Sequence, residues 1–241
     1  MRKFDVGYYP EFKLPENLPI PKELEDKLRL SWNYFYDDFE NFQDSKKIDV
    51  MLECEDLLRY FGSSGLPRSI EHKRYVYMAL AFAHAAIPVI KNCKPRDTRA
   101  ERCLKLVDSW FTSSAIKTKD WTGVLFPERV SRVGGSFLDE AFDNFYSLLK
   151  LINSNCPPNE MLDILYDAFT GEWCGGSLAG NRDIFNWWLI EVIPAAYNLQ
   201  LPRSFRPVVW KFPFRCETPE MFAERMQELE NEWSNTEDER D

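Results

Sequence analysis

Apolar residues recur at steps of three and four along most of this chain, which is the period of helix and not of strand. From Lys22, the positions Leu24, Leu28, Trp32, Phe35, Phe39 and Phe42 form one face of a helix of about five turns. Ile48 to Phe61 repeats the pattern, and Gly62-Ser63-Ser64-Gly65 stops it. Ser69 reads as the N-cap of a third helix reaching Asn92, in which Pro88 predicts a kink or an early end. Thr98-Arg99-Ala100-Glu101 fits a capping box, opening a helix that buries Ala100, Leu104, Val107 and Phe111. Residues 113–135 show no clean period and read as a long ordered loop. Phe137, Leu138, Ala141, Phe142, Phe145, Leu148, Leu149 and Ile152 make the next helical stripe. A helix from Pro158 to Thr170 follows, with Gly171 just past its end. Asn181 can cap a helix containing Phe185, Trp188, Leu189, Val192 and Ala196. Thr218-Pro219-Glu220 starts a last one, carried by Phe222, Met226, Leu229 and Trp233.

This pattern predicts an all-α fold of about eight helices packed as helical hairpins, with at most one or two short strands near 208–212. Pro10, Pro15, Pro19 and Pro21 make residues 1–21 a Pro-rich N-terminal arm, whose Tyr8, Tyr9, Phe12, Leu14 and Leu18 are apolar enough to pack on the body. Residues 22–216 read as a single helical domain, 217–233 as a C-terminal amphipathic helix and 234–241 as an acidic disordered tail.

At 241 residues, with 44% hydrophobic and 15% aromatic positions, the chain can build a large core and is not a disordered one. No apolar run approaches the roughly 18 residues of a membrane-spanning helix, and the N-terminus lacks the apolar region of a secretory signal. Six cysteines are scattered with no C-x-x-C, so they read as reduced thiols, and the expected location is cytoplasmic.

Charge is segregated. Of the net −9, residues 217–241 carry −8. Asp37 to Asp56 holds eight acids and two lysines. Lys91 to Lys105 holds six bases and two acids, and Arg99, Arg102 and Lys105 follow one another at steps of three along a helix edge. Such a basic row is a nucleic-acid candidate, but a pI near 5.0 argues against nonspecific binding to nucleic acid. A protein partner, or an acidic stretch of this same chain, fits the row better.

Enzyme signatures are absent. There is no H-E-x-x-H, no Cys/His cluster and no EF-hand loop, so no metal and no cofactor is expected. The only histidines, His72 and His84, point about 120° apart on one helix, which leaves Cys174 with a poor choice of base. The most unusual stretch is Gly171 to Arg182, where Gly175, Gly176, Ser177 and Arg182 precede or open a helix and could cradle a small anion. It is neither a Walker loop nor a dinucleotide fingerprint, and a tight helix-to-helix turn is the favoured explanation of its glycines. Gly134-Gly135-Ser136, behind Arg129 and Arg132, has the same logic. Trp187 and Trp188 are adjacent and cannot share one helix face, so one of them is expected away from the main stripe, as an interface anchor.

The segment Ala81-Phe82-Ala83-His84-Ala85-Ala86-Ile87-Pro88-Val89-Ile90, then Lys94-Pro95-Arg96-Asp97-Thr98-Arg99-Ala100-Glu101, ending at Asp108-Ser109-Trp110, resembles a helical family of bacterial toxin-immunity proteins. The match covers about residues 81–110, and the chain departs from the family by lacking its long Ala-rich stretches. The resemblance implies a protein that acts by binding a toxin partner.

The first expectation is therefore a non-enzymatic cytosolic protein that works by binding another protein, with Arg96, Arg99, Arg102, Trp187 and Trp188 at the interface. The alternative is an enzyme or sensor that takes a small anion at the Gly171–Arg182 loop. Neither nucleic acid nor membrane is an expected partner.

Overall fold

The computed structural model describes residues 12–33, 50–62, 66–112, 125, 137–170 and 184–203. Among these, 78% are helical and none is in a strand. The fold is all-α, with seven helices among the described residues where the sequence predicted about eight. The expected strand at 208–212, the helix at 217–233 and the tail at 234–241 lie outside the described residues, as does 34–49 beyond the first helix.

A helix that is apolar on every side belongs in the centre of a bundle, and α3 (Ile70–Cys93) occupies that place. Ala79, Ala81, Ala83, Ala85 and Ala86 are all buried, alternating with Val76, Met78, Leu80, Phe82, Val89 and Ile90. The small residues let neighbouring helices approach closely, and α3 packs against α4 (Arg99–Thr112), α5 (Phe137–Asn153), α6 (Pro157–Thr170) and α7 (Ile193–Tyr197). Ser69 caps α3 as its position predicts, its Oγ accepting the His72 backbone N–H at 3.1 Å. Pro88 does not end the helix, which continues to Cys93. The packing of this segment against several helices offsets the one lost backbone hydrogen bond.

α5 and α6 form a hairpin across a short turn. Pro157 starts α6, one residue earlier than expected, in the first-turn position where its missing N–H costs nothing. Lys150 reaches Glu160 across the turn at 2.8 Å. α1 (Lys22–Asn33) lies on α2 (Val50–Leu58), burying Leu24, Leu28 and Trp32. The two are clamped by Glu53, a buried carboxylate that accepts from Lys27 Nζ at 2.9 Å and from the Ser31 hydroxyl. A 3₁₀ turn, Arg59–Phe61, follows α2 and ends at Gly62, whose φ of 82° is open to glycine at little cost. The Tyr75 hydroxyl shares its proton between the Leu58 and Gly62 carbonyls, at 2.9 and 2.8 Å. Burial also raises the pKa of that phenol.

The described part of the N-terminal arm is tied down. Leu18 is buried, Phe12 meets Trp32 edge-on with Arg29 over its other side, and the Pro19 carbonyl accepts from Asn198 Nδ2 at 2.9 Å. Tyr8 and Tyr9 lie outside the described residues.

The last helical stretch runs from 184 to 197, with a π-helical segment, Trp188–Val192, between 184–187 and α7. Residues 184 through 196 are all buried. This overturns the expectation that one of the paired indoles stands clear of the core. Trp187 packs on Phe82, while Trp188 packs on Phe169 and donates its indole N–H to Met78 Sδ at 3.2 Å. Adjacent tryptophans diverge, but here both directions point into core, so neither presents an interface anchor. α7 ends in a Schellman turn, with Leu199 N–H on the Ala196 carbonyl, Gln200 N–H on the Ala195 carbonyl, and Leu199 itself at φ 56°.

Candidate interaction face

The basic row begins where α3 ends. The turn from Lys94 to Thr98 must reverse the chain between two helices, and its polar groups are satisfied locally. The Asp97 N–H donates to the Lys94 carbonyl at 3.0 Å. The Asp97 carboxylate accepts the Arg99 backbone N–H at 2.9 Å, an Asx turn that fixes the first residue of α4. Lys91 Nζ donates to the Asp97 carbonyl at 2.8 Å and pairs with Glu101. That pairing differs from the expected capping box, because Glu101 makes no bond back to Thr98 and is taken instead by a lysine on the neighbouring helix. The hydrogen bond from Lys91 holds the Glu101 carboxyl below its ordinary pKa.

Within this frame the three candidate arginines separate. Arg99 is committed: its guanidinium grips Asp97 at 2.8 to 3.1 Å and lies over the Phe142 ring, 4.1 Å from the centroid. It is part of the lock and does not serve as an open contact. The hydrogen bonds from Arg99 depress the Asp97 pKa, against the opposing effect of burial. Arg96 and Arg102 are exposed, as are Lys94 and Lys105. None of these four cations forms an ion pair with a described residue. Arg102 and Lys105 stand three apart on α4, which places their Cβ atoms about 5–6 Å from each other. The opposite side of α4 buries Ala100, Cys103, Val107 and Trp110, so the basic edge faces outward by the same periodicity that builds the core.

Elsewhere several described charges find partners. Glu53 and Asp56 meet Lys27, and Glu55 and Asp56 meet Arg59. These described acids of the Asp37–Asp56 stretch are therefore engaged by α1 and the 3₁₀ turn and not by the basic edge. Glu191, in the π-helical segment, holds Arg203 through both carboxylate oxygens, at 2.7 and 3.4 Å.

The histidines behave as structural groups. His72 is fully buried, with Nε2 2.9 Å from the Leu151 carbonyl and Nδ1 3.3 Å from the Arg68 backbone N–H. These partners call for the neutral ring with its proton on Nε2, since a carbonyl accepts and an N–H donates. Burial lowers its pKa, and Trp110 packs on the ring at 5.3 Å between centroids. His84 is half-buried, and burial lowers its pKa too, with the Asp108 charge acting in the opposite sense. Cys54, Cys93, Cys103 and Cys156 are free thiols. Burial pushes the Cys103 thiol far up, so it is not a nucleophile. Among the described residues no cluster of His, Cys, Asp and Glu could hold a metal ion, and no helix is long and apolar enough to cross a membrane.

The anion-loop candidates Gly175, Gly176, Ser177 and Arg182 lie outside the described residues, as do Cys174, Arg129, Arg132 and Gly134-Gly135-Ser136. The sequence reading overlooked Asp97 as the organiser of the turn. Its signal was the Pro-Arg-Asp-Thr order before a helix, where an Asp side chain commonly bonds the amide two residues on. No family model matches the chain, and no curated protein or solved structure matches it either.

Proposed function

We propose that this chain is a non-enzymatic binding protein that engages an acidic surface on another protein through Lys94, Arg96, Arg102 and Lys105. One observation carries the reading. Four exposed cations, none in an ion pair with a described residue, sit on a turn and a helix edge whose own geometry is locked by Asp97, Arg99, Lys91 and Glu101. A preorganised edge loses little entropy on association, and charges of one sign steer an oppositely charged partner. The acidic pI of 5.0 weighs against nonspecific binding to nucleic acid. The resemblance to toxin-immunity proteins over residues 81–110 covers this same turn and helix, and it points the same way: the partner would be a toxin, bound in the cytoplasm.

The test is an affinity capture from nuclease-treated native lysate, washed at low and then at high salt. A stoichiometric protein retained at low salt and released at high salt is the expected result. Recovery of nucleic acid alone, or of a protein indifferent to salt, would contradict the reading.

A further inference from the structure

Among the described residues no acid pairs with the cation face, and the chain carries its own candidate occupant. Residues 217–241 hold ten acids against two bases. Glu220, Glu224, Glu228 and Glu232 recur every four residues, the spacing of neighbours along one edge of a helix. The described chain ends at Arg203, held by Glu191. Residues 204–216 span up to about 45 Å when extended, and a compact domain of about 200 residues is roughly 40 Å across. The surface path half-way round such a body is about 60 Å, which residues 204–216 and the 25 residues of the acidic segment can span together. The described acids of the Asp37–Asp56 stretch, Glu53, Glu55 and Asp56, are already engaged by Lys27 and Arg59.

We infer that residues 217–241 dock reversibly on the cation face of Lys94, Arg96, Arg102 and Lys105 and compete there with the acidic partner. The inference rests on the proposed function of that face and adds its regulation. A tethered segment acts at an effective concentration of about 1 mM. An exposed charge-on-charge contact with a dissociation constant near that value is about half closed, so the tail lowers the apparent affinity for a partner about twofold at moderate salt. At about 1 M salt the screening length falls to about 3 Å and the face opens. The contact is thus ionic, and a sufficiently acidic partner displaces it.

The test uses the full chain. Zero-length carbodiimide coupling joins lysine amines to carboxylates in contact, and an equal mixture of light and heavy isotope-labelled chains separates links within one molecule from links between two. Within-chain links from Lys94 or Lys105 to acids of 217–241, lost at 1 M salt, are expected. In parallel, a fluorescein-labelled polyglutamate of about 20 residues is titrated against three chains. These are the wild type, Glu220→Gln/Glu224→Gln/Glu228→Gln/Glu232→Gln, and Arg96→Glu/Arg102→Glu/Lys105→Glu. Neutralising the tail should tighten polyglutamate binding about twofold or more, and reversing the face should abolish it. If the links are absent or join two molecules, and the tail variant binds polyglutamate as the wild type does, the inference is overturned while the face keeps its role. If polyglutamate binds the face-reversed chain as well as the wild type, the face reading falls and this inference falls with it.

Discussion

The guanidinium of Arg99 and the carboxylate of Asp97 are joined through Nε and Nη2 at 2.8 to 3.1 Å, two residues apart, across the first turn of α4. The same carboxylate receives the Arg99 amide at 2.9 Å. One acidic side chain thus starts a helix and removes one arginine from the basic row, in which Lys91 is also committed, to Glu101. Replacing Asp97 with Ala should cost about 1–3 kcal/mol, because it unmakes charge-assisted bonds at a partly buried site. Asp97→Asn should cost less, since its amide oxygen can still accept the Arg99 N–H. Urea unfolding of the two variants, compared with the wild type, checks the order.

Acid should destabilise the fold in two stages. Both histidines have pKa values lowered by burial from an ordinary 6.5. Between that value and their folded values the unfolded chain binds more protons than the native one, so stability rises with pH there. It is fully present above about pH 6.5 and is lost as pH falls through 6.5 toward the folded values. Asp97 and Glu101 contribute a second, lower stage, because their depressed carboxyl pKa values give stability that is lost only as pH falls below the ordinary range near 4. The urea midpoint should therefore drop between pH 7 and pH 5. A His72→Phe variant, less stable overall, should show a smaller drop. A midpoint independent of pH over that range would contradict the assignment of neutral, buried His72.

Glu53 and Lys27 form the clamp between α1 and α2, with side-chain exposures of 6% and 19%. Removing only the carboxylate leaves the lysine poorly solvated and the Ser31 hydroxyl without its acceptor carboxylate. Glu53→Ala should cost about 2–4 kcal/mol. In the double variant Lys27→Met/Glu53→Met the loss should be smaller than the sum of the single losses, because no lone charge remains. Additive losses in that cycle would show that the two side chains do not interact.

Two turn positions predict opposite signs for opposite changes. Leu199 has φ 56° at the end of α7, a conformation that costs a residue with a Cβ about 1–2 kcal/mol. Leu199→Gly should be stabilising by up to about 1 kcal/mol, after allowing for the lost side chain. Gly62 has φ 82°, and a Cβ there would lie 2.8 Å from Glu71 Cγ. Gly62→Ala should destabilise by about 1–3 kcal/mol and disturb the Tyr75 hydrogen bond to the Gly62 carbonyl. Thermal melts of the two variants should shift in opposite directions.

Local chemistry made much of this architecture legible. The Ser69 cap, the Pro start of α6 and the outward basic edge of α4 each depend on residues within a turn of one another, and sequence carries that information directly. The misreadings share a different cause. Of the kink or early end expected at Pro88, the early end does not occur, because packing from several helices outweighs a local preference. Glu101 leaves its capping partner for Lys91, ten residues back on another helix, which local spacing does not reveal. The tryptophan argument assumed a helix with one wet side, whereas the stretch from 184 to 196 is buried throughout. The basic row was visible as composition, but only the Asp97–Arg99 pairing shows which of its members are committed.

Lys94, Arg96, Arg102 and Lys105 are proposed as a partner face and not as part of the fold's scaffold. Capture from native lysate with wild-type chain and with Arg96→Glu/Arg102→Glu/Lys105→Glu, alongside the melting temperature of each, tests this most directly. These side chains make no ion pairs with the described fold, so the two chains should melt within a few degrees of each other. The reversed chain should lose the salt-sensitive partner that the wild type retains. A folded, face-reversed chain that still recovers the same partner at the same stoichiometry would contradict the account.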